Sequence, residues 1–350
     1  MSPSRVLLSS MFVLGVVAAL GAEAGHMRAG GPSAAAPDRS FEFTYQVHVP
    51  AIPDSTGPTR LWIPLPQPDG YQDIGALQID SPVPYKQGRD AEYGNMFAVF
   101  TPASRQSASG FDVTVRFTAI RHEHKVALDA AALRKVAASA SRPHELQRYL
   151  EPDKLVPLKG TIAQLAKENT AGDATTMEKA RHIYDYVVNN MRYDKSGEGW
   201  GRGDAIWACT SKRGNCTDFH SLFIGMMRAS GIPARFEIGF PLPISQTEGE
   251  IPGYHCWAEF YLDGVGWVPV DASEAWKNPA KRDYFFGAHD TNRVFFTYGR
   301  DIRLSPEQEG DPLNYFIYPY AETNGRPVKN LQTHFSFHDV SSAAQTGAGS

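Results

Sequence analysis

Cys216, His255 and Asp271 have the types and order that nucleophilic chemistry by sulfur requires. Such chemistry needs a thiolate, a base that holds or takes its proton, and a third group that orients the base. The run Arg213-Gly214-Asn215-Cys216-Thr217-Asp218-Phe219-His220-Ser221-Leu222-Phe223 takes a Gly-containing loop into a helix. Phe219, Leu222, Phe223 and Met226 repeat at i, i+3, i+4 and i+7, which predicts an amphipathic helix with one apolar face. Gly231-Ile232-Pro233 supplies its stop. Asn215 is the candidate N-cap, so Cys216 falls in the first turn, where free backbone N–H groups and the positive dipole end favour a thiolate. Asp218 reads as an ordinary helix-start acid.

The elements that must position these groups follow from pattern. Residues 255–262 alternate, with His255, Trp257, Glu259 and Tyr261 on one face and Cys256, Ala258, Phe260 and Leu262 on the other. The second set is expected to face the core and the first a cleft. Asp263-Gly264-Val265-Gly266 turns the chain, and residues 267–272 return as a strand carrying Asp271. In an antiparallel hairpin, His255 and Asp271 share a face only if the loop has an odd number of residues, three or five. Helices are predicted over 159–169 and 173–191, the second with an apolar stripe of Ala180, Ile183, Tyr184, Val187, Val188 and Met191. Residues 193–203 form a Gly-rich loop with Trp200, and Trp207 follows before Cys209. His220 is read as a hydrogen-bonded core histidine, Glu259 as a solvated strand residue or an adjunct acid, and Arg235 as the partner of a sheet carboxylate.

The first 24 of the 350 residues read as a signal peptide: Arg5, an apolar run from Val6 to Leu20, then Ala22-Glu23-Ala24. Removing them takes away Arg5 and Glu23, so the formal net charge stays at −4. That charge gives no reason to expect nucleic acid or an anionic membrane as partner. The apolar run is too short for a membrane span, so no stable membrane insertion is expected after cleavage, and the expected location is periplasmic or secreted. Residues 25–40 read as a flexible lead and 41–125 as a β-sandwich-like accessory domain of short alternating strands. A helical connection over 126–157 leads to a catalytic core over 158–305. An Asn324-Gly325 turn signals a C-terminal hairpin within 306–340, and 341–350 read as a disordered tail. The oligomeric state is not readable, and no nucleotide, phosphate or calcium pattern is visible, so no cofactor is expected.

The segments Gly214-Asn215-Cys216-Thr217-Asp218, Ala229-Ser230-Gly231-Ile232-Pro233-Ala234-Arg235, Tyr254-His255-Cys256-Trp257-Ala258-Glu259 and Gly266-Trp267-Val268-Pro269-Val270-Asp271 together resemble the transglutaminase-like superfamily, relatives of papain-type proteases. The resemblance covers about residues 160–275. It implies an α+β fold with a central helix packed on an antiparallel sheet, and a Cys216–His255–Asp271 triad. Asn215 stands where many members carry Gly or another small residue. The Cys216 backbone N–H is the first candidate for the oxyanion site, with the indoles of Trp207 and Trp200 second; Trp257 is a candidate wall of the cleft. The expected function is an exported acyl-transfer enzyme acting on a peptide or glutamine-type amide of a protein or peptide substrate. Hydrolysis is expected to prevail, because the charged, Gly-rich loop 193–203 reads as mobile and wet. Alternatives are a cross-linking transglutaminase, a binding module with a relict triad, and a zinc protein using Cys209, Cys216, Cys256 and His255. A Cys209–Cys256 disulfide also stays open at this level, and Asp271→Ala is expected to weaken activity while leaving the fold intact.

Overall fold

The computed structural model describes residues 38–52, 57–128, 144–305 and 307–340. The expected leader 1–24, most of the lead 25–40, residues 129–143 of the helical connection and the tail 341–350 lie outside the described residues. The first long strand, Arg39–Val49, follows its alternation: Phe41, Phe43, Tyr45, Val47 and Val49 are all buried. It is the centre of a five-stranded antiparallel sheet that runs Glu248–Glu250, Gln332–Asp339, Arg39–Val49, Phe111–Arg121, Gln72–Asp80. A second five-stranded sheet runs Arg326–Pro327, Tyr320–Thr323, Thr59–Pro64, Met96–Phe100, Tyr85–Arg89.

Neither sheet is confined to the segment 41–125. Both take strands from the far end of the chain, because each N-terminal strand pair leaves an unpaired edge that another strand must cover. The expected C-terminal hairpin is changed in the same way. The Asn324-Gly325 turn forms, Thr323 faces Arg326 and the Val328 N–H donates to the Ala321 carbonyl at 2.8 Å, so the hairpin itself is short. After a positive-φ turn at Asn330 (64°), the strand Gln332–Asp339 pairs instead with Arg39–Val49.

The third sheet carries the chemistry-bearing residues. Its order is Gly266–Val270, His255–Leu262, Ala234–Pro241, Arg293–Tyr298, all antiparallel. Phe240 and Phe296 of this sheet pack on Phe43 of the first, with ring centroids 5.3 and 5.9 Å away. Fully burying rings of this size contributes on the order of 2–3 kcal/mol each, which ties the two sheets into one core. The helix Cys216–Ala229 packs against the His255–Leu262 strand and is surrounded by the helices Thr161–Asn169, Thr176–Asn190 and Ala205–Ser211.

The helix Cys216–Ala229 is buried at every position from Cys216 to Arg228, so it has no solvated face. Its polar residues, which read as an outer face, find partners inside the protein, although Arg228 Nη2 is left without one. Ser221 accepts from Arg300 Nη1 at 2.6 Å, and Arg228 donates to Asp153 Oδ2 at 2.8 Å and to the carbonyls of Ala234 and Glu151. Buried polar groups are stable only when paired in this way.

Candidate active site

Cys216 is the first residue of the buried helix. Asn215 caps it, its side chain accepting from the Thr217 N–H at 2.9 Å, while Asp218 reaches back to the Asn215 N–H at 3.0 Å. This is a capping box, and it holds the turn that aims Cys216. Gly214 lies at φ 147°, and a Cβ there would stand 2.3 Å from Asp218 Oδ2. Only glycine therefore admits the carboxylate at that point.

Asp218 does more than start the helix. It is fully buried, and beyond Asn215 it accepts from the N–H groups of Gly201 (2.7 Å) and Gly203 (3.0 Å). Burial raises its pKa against the pull of these donors. The same loop is held by Arg300, which donates to the carbonyls of Gly203 and Arg202, and by Tyr315, which donates to Gly201. The expectation of a mobile segment is thus corrected at residues 201–203. Residues 195–198 are exposed, so the segment is a fixed, solvated rim.

His255 begins the strand that crosses the helix. The loop between His255–Leu262 and Gly266–Val270 spans residues 263–265, since Leu262 pairs with Gly266. Its odd length puts His255 and Asp271 on one face, and His255 Nε2 lies 2.7 Å from Asp271 Oδ2. Nδ1 is then the nitrogen left for the Cys216 sulfur, and a His255–Cys216 hydrogen bond is part of both groups' shifts. Asp271 has zero exposure. It also accepts from Arg293 Nη1 (3.1 Å), Ser273 Oγ (3.0 Å) and the Glu274 N–H (3.0 Å), and caps the helix Ala272–Lys277.

The electrostatics are mutual. Burial opposes the Cys216 thiolate, but hydrogen bonds from Cys256 and His255 and the charge on His255 outweigh it and hold the thiol well below its usual value. Burial would lower the His255 pKa; the charge and hydrogen bond of Asp271, with Cys216, raise it to about 10. Burial likewise opposes Asp271 ionisation, and His255 and Arg293 hold its carboxyl well below the usual range. The arrangement holds an imidazolium between a carboxylate and a thiolate.

The other candidates divide. His220 is buried as expected: its Nε2 accepts from the Ala272 N–H at 3.1 Å, which leaves Nδ1 protonated, 3.8 Å from Cys256 Sγ. Burial keeps it neutral. Trp257 does not wall a cleft. It is fully buried, its indole N–H donates to Glu237 Oε2 at 2.5 Å, and it stacks under the Arg293 guanidinium at 4.8 Å. Glu259 is buried too, paired with Arg235 at 2.5 Å and 3.2 Å from His124, so it is not a solvated strand residue. Both faces of the His255–Leu262 strand are covered, which alternation alone cannot reveal. The indole N–H of Trp200 donates to the Gly197 carbonyl at 3.1 Å. Trp207 lies on the helix Ala205–Ser211, with Gly199 packed on its indole, where a Cβ would come within 2.5 Å.

Cys209, Cys216 and Cys256 are all free thiols. Cys256 turns towards the Cys216 helix, 3.7 Å from Thr217 Oγ1, and burial keeps its thiol protonated, so it serves as donor to Cys216. The disulfide expectation is corrected accordingly. Among the described residues no three His, Cys, Asp or Glu side chains converge as a metal-ligand group. Sequence reasoning missed four members of the site: Arg293, Cys256 as a donor, Asp218 as a loop anchor, and Tyr254. The Tyr254 hydroxyl accepts from Asn215 Nδ2 at 3.0 Å and lies 2.8 Å from Thr217 Oγ1, binding the residue before His255 to the helix start. Tyr254, Cys256 and Asp218 stood inside the matching segments; Arg293 had no local signal.

A cysteine opening a buried helix, with histidine on one strand and aspartate just past the end of its antiparallel neighbour, defines a transglutaminase-like α+β protein. Residues 163–272 match the family model of the transglutaminase-like superfamily, so this segment is a transglutaminase-like domain. It is 29% identical over 336 residues to an uncharacterized protein of Haemophilus influenzae, covering 83% of this chain and 88% of that one. A structure named "Putative Cysteine Protease" from Cytophaga hutchinsonii superposes with a TM-score of 0.63 at 16% identity, covering 88% of this chain and 93% of that chain, and shares the fold. The periplasmic domain of TgpA from Pseudomonas aeruginosa gives a TM-score of 0.34 at 16% identity, over 69% of this chain and 90% of that chain.

Proposed function

We propose that the protein is a cysteine-nucleophile enzyme that cleaves a peptide or glutamine-type amide through a thioacyl intermediate, with water as the usual acceptor. The observation that carries this reading is the 2.7 Å His255–Asp271 hydrogen bond beside a Cys216 whose acidity is raised by His255. The Cys216 sulfur attacks the amide carbonyl, and the Cys216 backbone N–H, at the positive end of its helix, donates to the developing oxyanion. His255 gives its proton to the leaving amine, and the C–N bond breaks. A water molecule then attacks the thioester while His255 takes the proton back, releasing the acid and the free enzyme. Asp271 stays ionised throughout and holds the ring.

Hydrolysis over amine transfer is supported by the rim. Amine selectivity needs a dry channel to the thioester, whereas residues 195–198 beside the site are exposed and charged at Lys195 and Glu198. Water, the more abundant nucleophile, then prevails. The signal-peptide pattern read over residues 1–24 supports a periplasmic or secreted location for this activity. The test follows a peptide amide substrate in the presence of excess primary amine. Free acid should be the main product and should vanish in Cys216→Ala; a predominant amine adduct, lost in the same variant, would make the protein a cross-linking transglutaminase instead.

A further inference from the structure

Arg293 opens the strand Arg293–Tyr298 at the edge of the four-stranded sheet, 21 residues beyond the segment 163–272 that matches the family. It is 2% exposed. Its Nη1 donates to Asp271 Oδ2 at 3.1 Å, the oxygen that also accepts from His255 Nε2 at 2.7 Å. Its Nη2 lies 3.7 Å from Asp290, and its guanidinium lies over Trp257, two residues along from His255. We propose that Arg293 is a positioning residue of the triad, and that its permanent charge on the shared oxygen sets the pH window in which the Cys216 thiolate and the His255 imidazolium coexist. This rests on the triad reading above.

The charged and titratable groups around this point are few. Asp271 is faced by His255, by Arg293, by His220 Nε2 at 3.7 Å and by Tyr184. His255 also has Glu274 at 4.0 Å, itself paired with Lys277, and Arg293 has Asp290, Glu274 and the buried His289 around it. Among the described residues that bond Asp271 through a side chain, Arg293 is the one whose charge does not titrate. Its fork also competes with the imidazolium for Oδ2, so Asp271 cannot spend its whole charge on raising the basicity of His255. An imidazolium held less tightly is the better acid for a leaving amine.

The sign of a substitution follows directly. Removing a fixed positive charge favours the protonated form of every group near it. Both the acid limb, set by Cys216, and the alkaline limb, set by His255, should therefore move to higher pH. For one charge about 6 Å away in a partly polarisable interior, the movement is on the order of one to two pH units. A residue that merely packs would lower the amplitude and leave both limbs in place.

The experiment measures two profiles: the rate of Cys216 alkylation by iodoacetamide, and kcat for amide hydrolysis, each against pH. Wild type, Arg293→Met and Arg293→Lys are compared, with Arg293→Gln, which keeps a donor towards Asp271, as the second neutral variant should the methionine chain not fold. The neutral variants should raise both limbs by about a unit or more and lower kcat at neutral pH by roughly tenfold, with KM changed less than about threefold. Arg293→Lys, which keeps the charge, should return the limbs towards wild type. Limbs unmoved in Arg293→Gln, in a protein whose alkylation does depend on His255, would overturn this inference and leave the triad standing. Wild-type alkylation insensitive to His255→Ala would remove both.

Discussion

Asp271→Ala should cost more than activity. The carboxylate caps the helix Ala272–Lys277 by accepting from the Glu274 N–H at 3.0 Å, and loss of such a cap costs about 1 kcal/mol. It is also the 3.1 Å partner of Arg293, which is 2% exposed, and removing one member of a buried ion pair costs about 3–5 kcal/mol. His255 adds little to the loss, because it can shed its proton when Asp271 disappears; arginine cannot. Together these terms give about 4–6 kcal/mol, against a total stability of roughly 5–15 kcal/mol for a domain. The expectation from sequence, an intact fold with weakened activity, is therefore replaced by one of severe destabilisation. Urea unfolding at neutral pH measures it. The double variant Asp271→Ala/Arg293→Met should recover much of the loss, because the stranded cation goes with its partner. A single-variant cost below about 1.5 kcal/mol, or a double variant less stable than Asp271→Ala, would refute the buried-pair argument. The pH dependence has the matching sign. Asp271 is held below its unfolded pKa, so its stabilisation is present above that unfolded value and is lost as pH falls towards the folded one.

Gly214→Ala should destabilise by about 2 kcal/mol or more, since it forces a side chain into φ 147° and 2.3 Å from Asp218 Oδ2; a change within 0.5 kcal/mol in urea unfolding would contradict the close approach. Asp218→Asn keeps one acceptor oxygen and turns an NH2 towards the N–H of either Gly201 or Gly203, which should loosen the loop, so limited tryptic cleavage after Arg202 should quicken about tenfold or more; an unchanged rate would mean the carboxylate does not anchor it. His124 should make the fold acid-sensitive. Burial, together with Arg121 and Arg235, lowers its pKa from 6.5 to about 3, so between those values the unfolded chain binds the extra proton and stability falls as pH drops. His124→Phe should flatten that slope by up to one proton in urea unfolding followed from pH 7 to 4, and an unchanged slope would place the sensitivity elsewhere.

The chemistry-bearing local elements were legible because their causes are local. The apolar repeat of Phe219, Leu222, Phe223 and Met226, the cap at Asn215 and the stop at Gly231 define a helix beginning at Cys216 whatever surrounds it. The parity rule needed only the loop length, and the three residues 263–265 satisfied it. The stripe of the helix Thr176–Asn190 and the alternation of Arg39–Val49 were read for the same reason: periodicity records which side of an element is buried. Periodicity records nothing about what lies on the other side. Glu259 and Trp257 share the His255 face, and only the packing of residues 124–125 and 288–289 near that face makes them interior rather than cleft residues. Asp218 read as a helix-start acid because its other two donors, Gly201 and Gly203, come from a loop 15–17 positions earlier. Arg293 is the limiting case. Nothing near it in the chain marks it, and its bond to Asp271 exists because the edge strand returns across the sheet at that register. The sequence by itself determined the identities and local geometry of the cysteine, histidine and aspartate. The tertiary structure decided which strands from the two chain ends close the sheets, and which distant charges fix the protonation of the three.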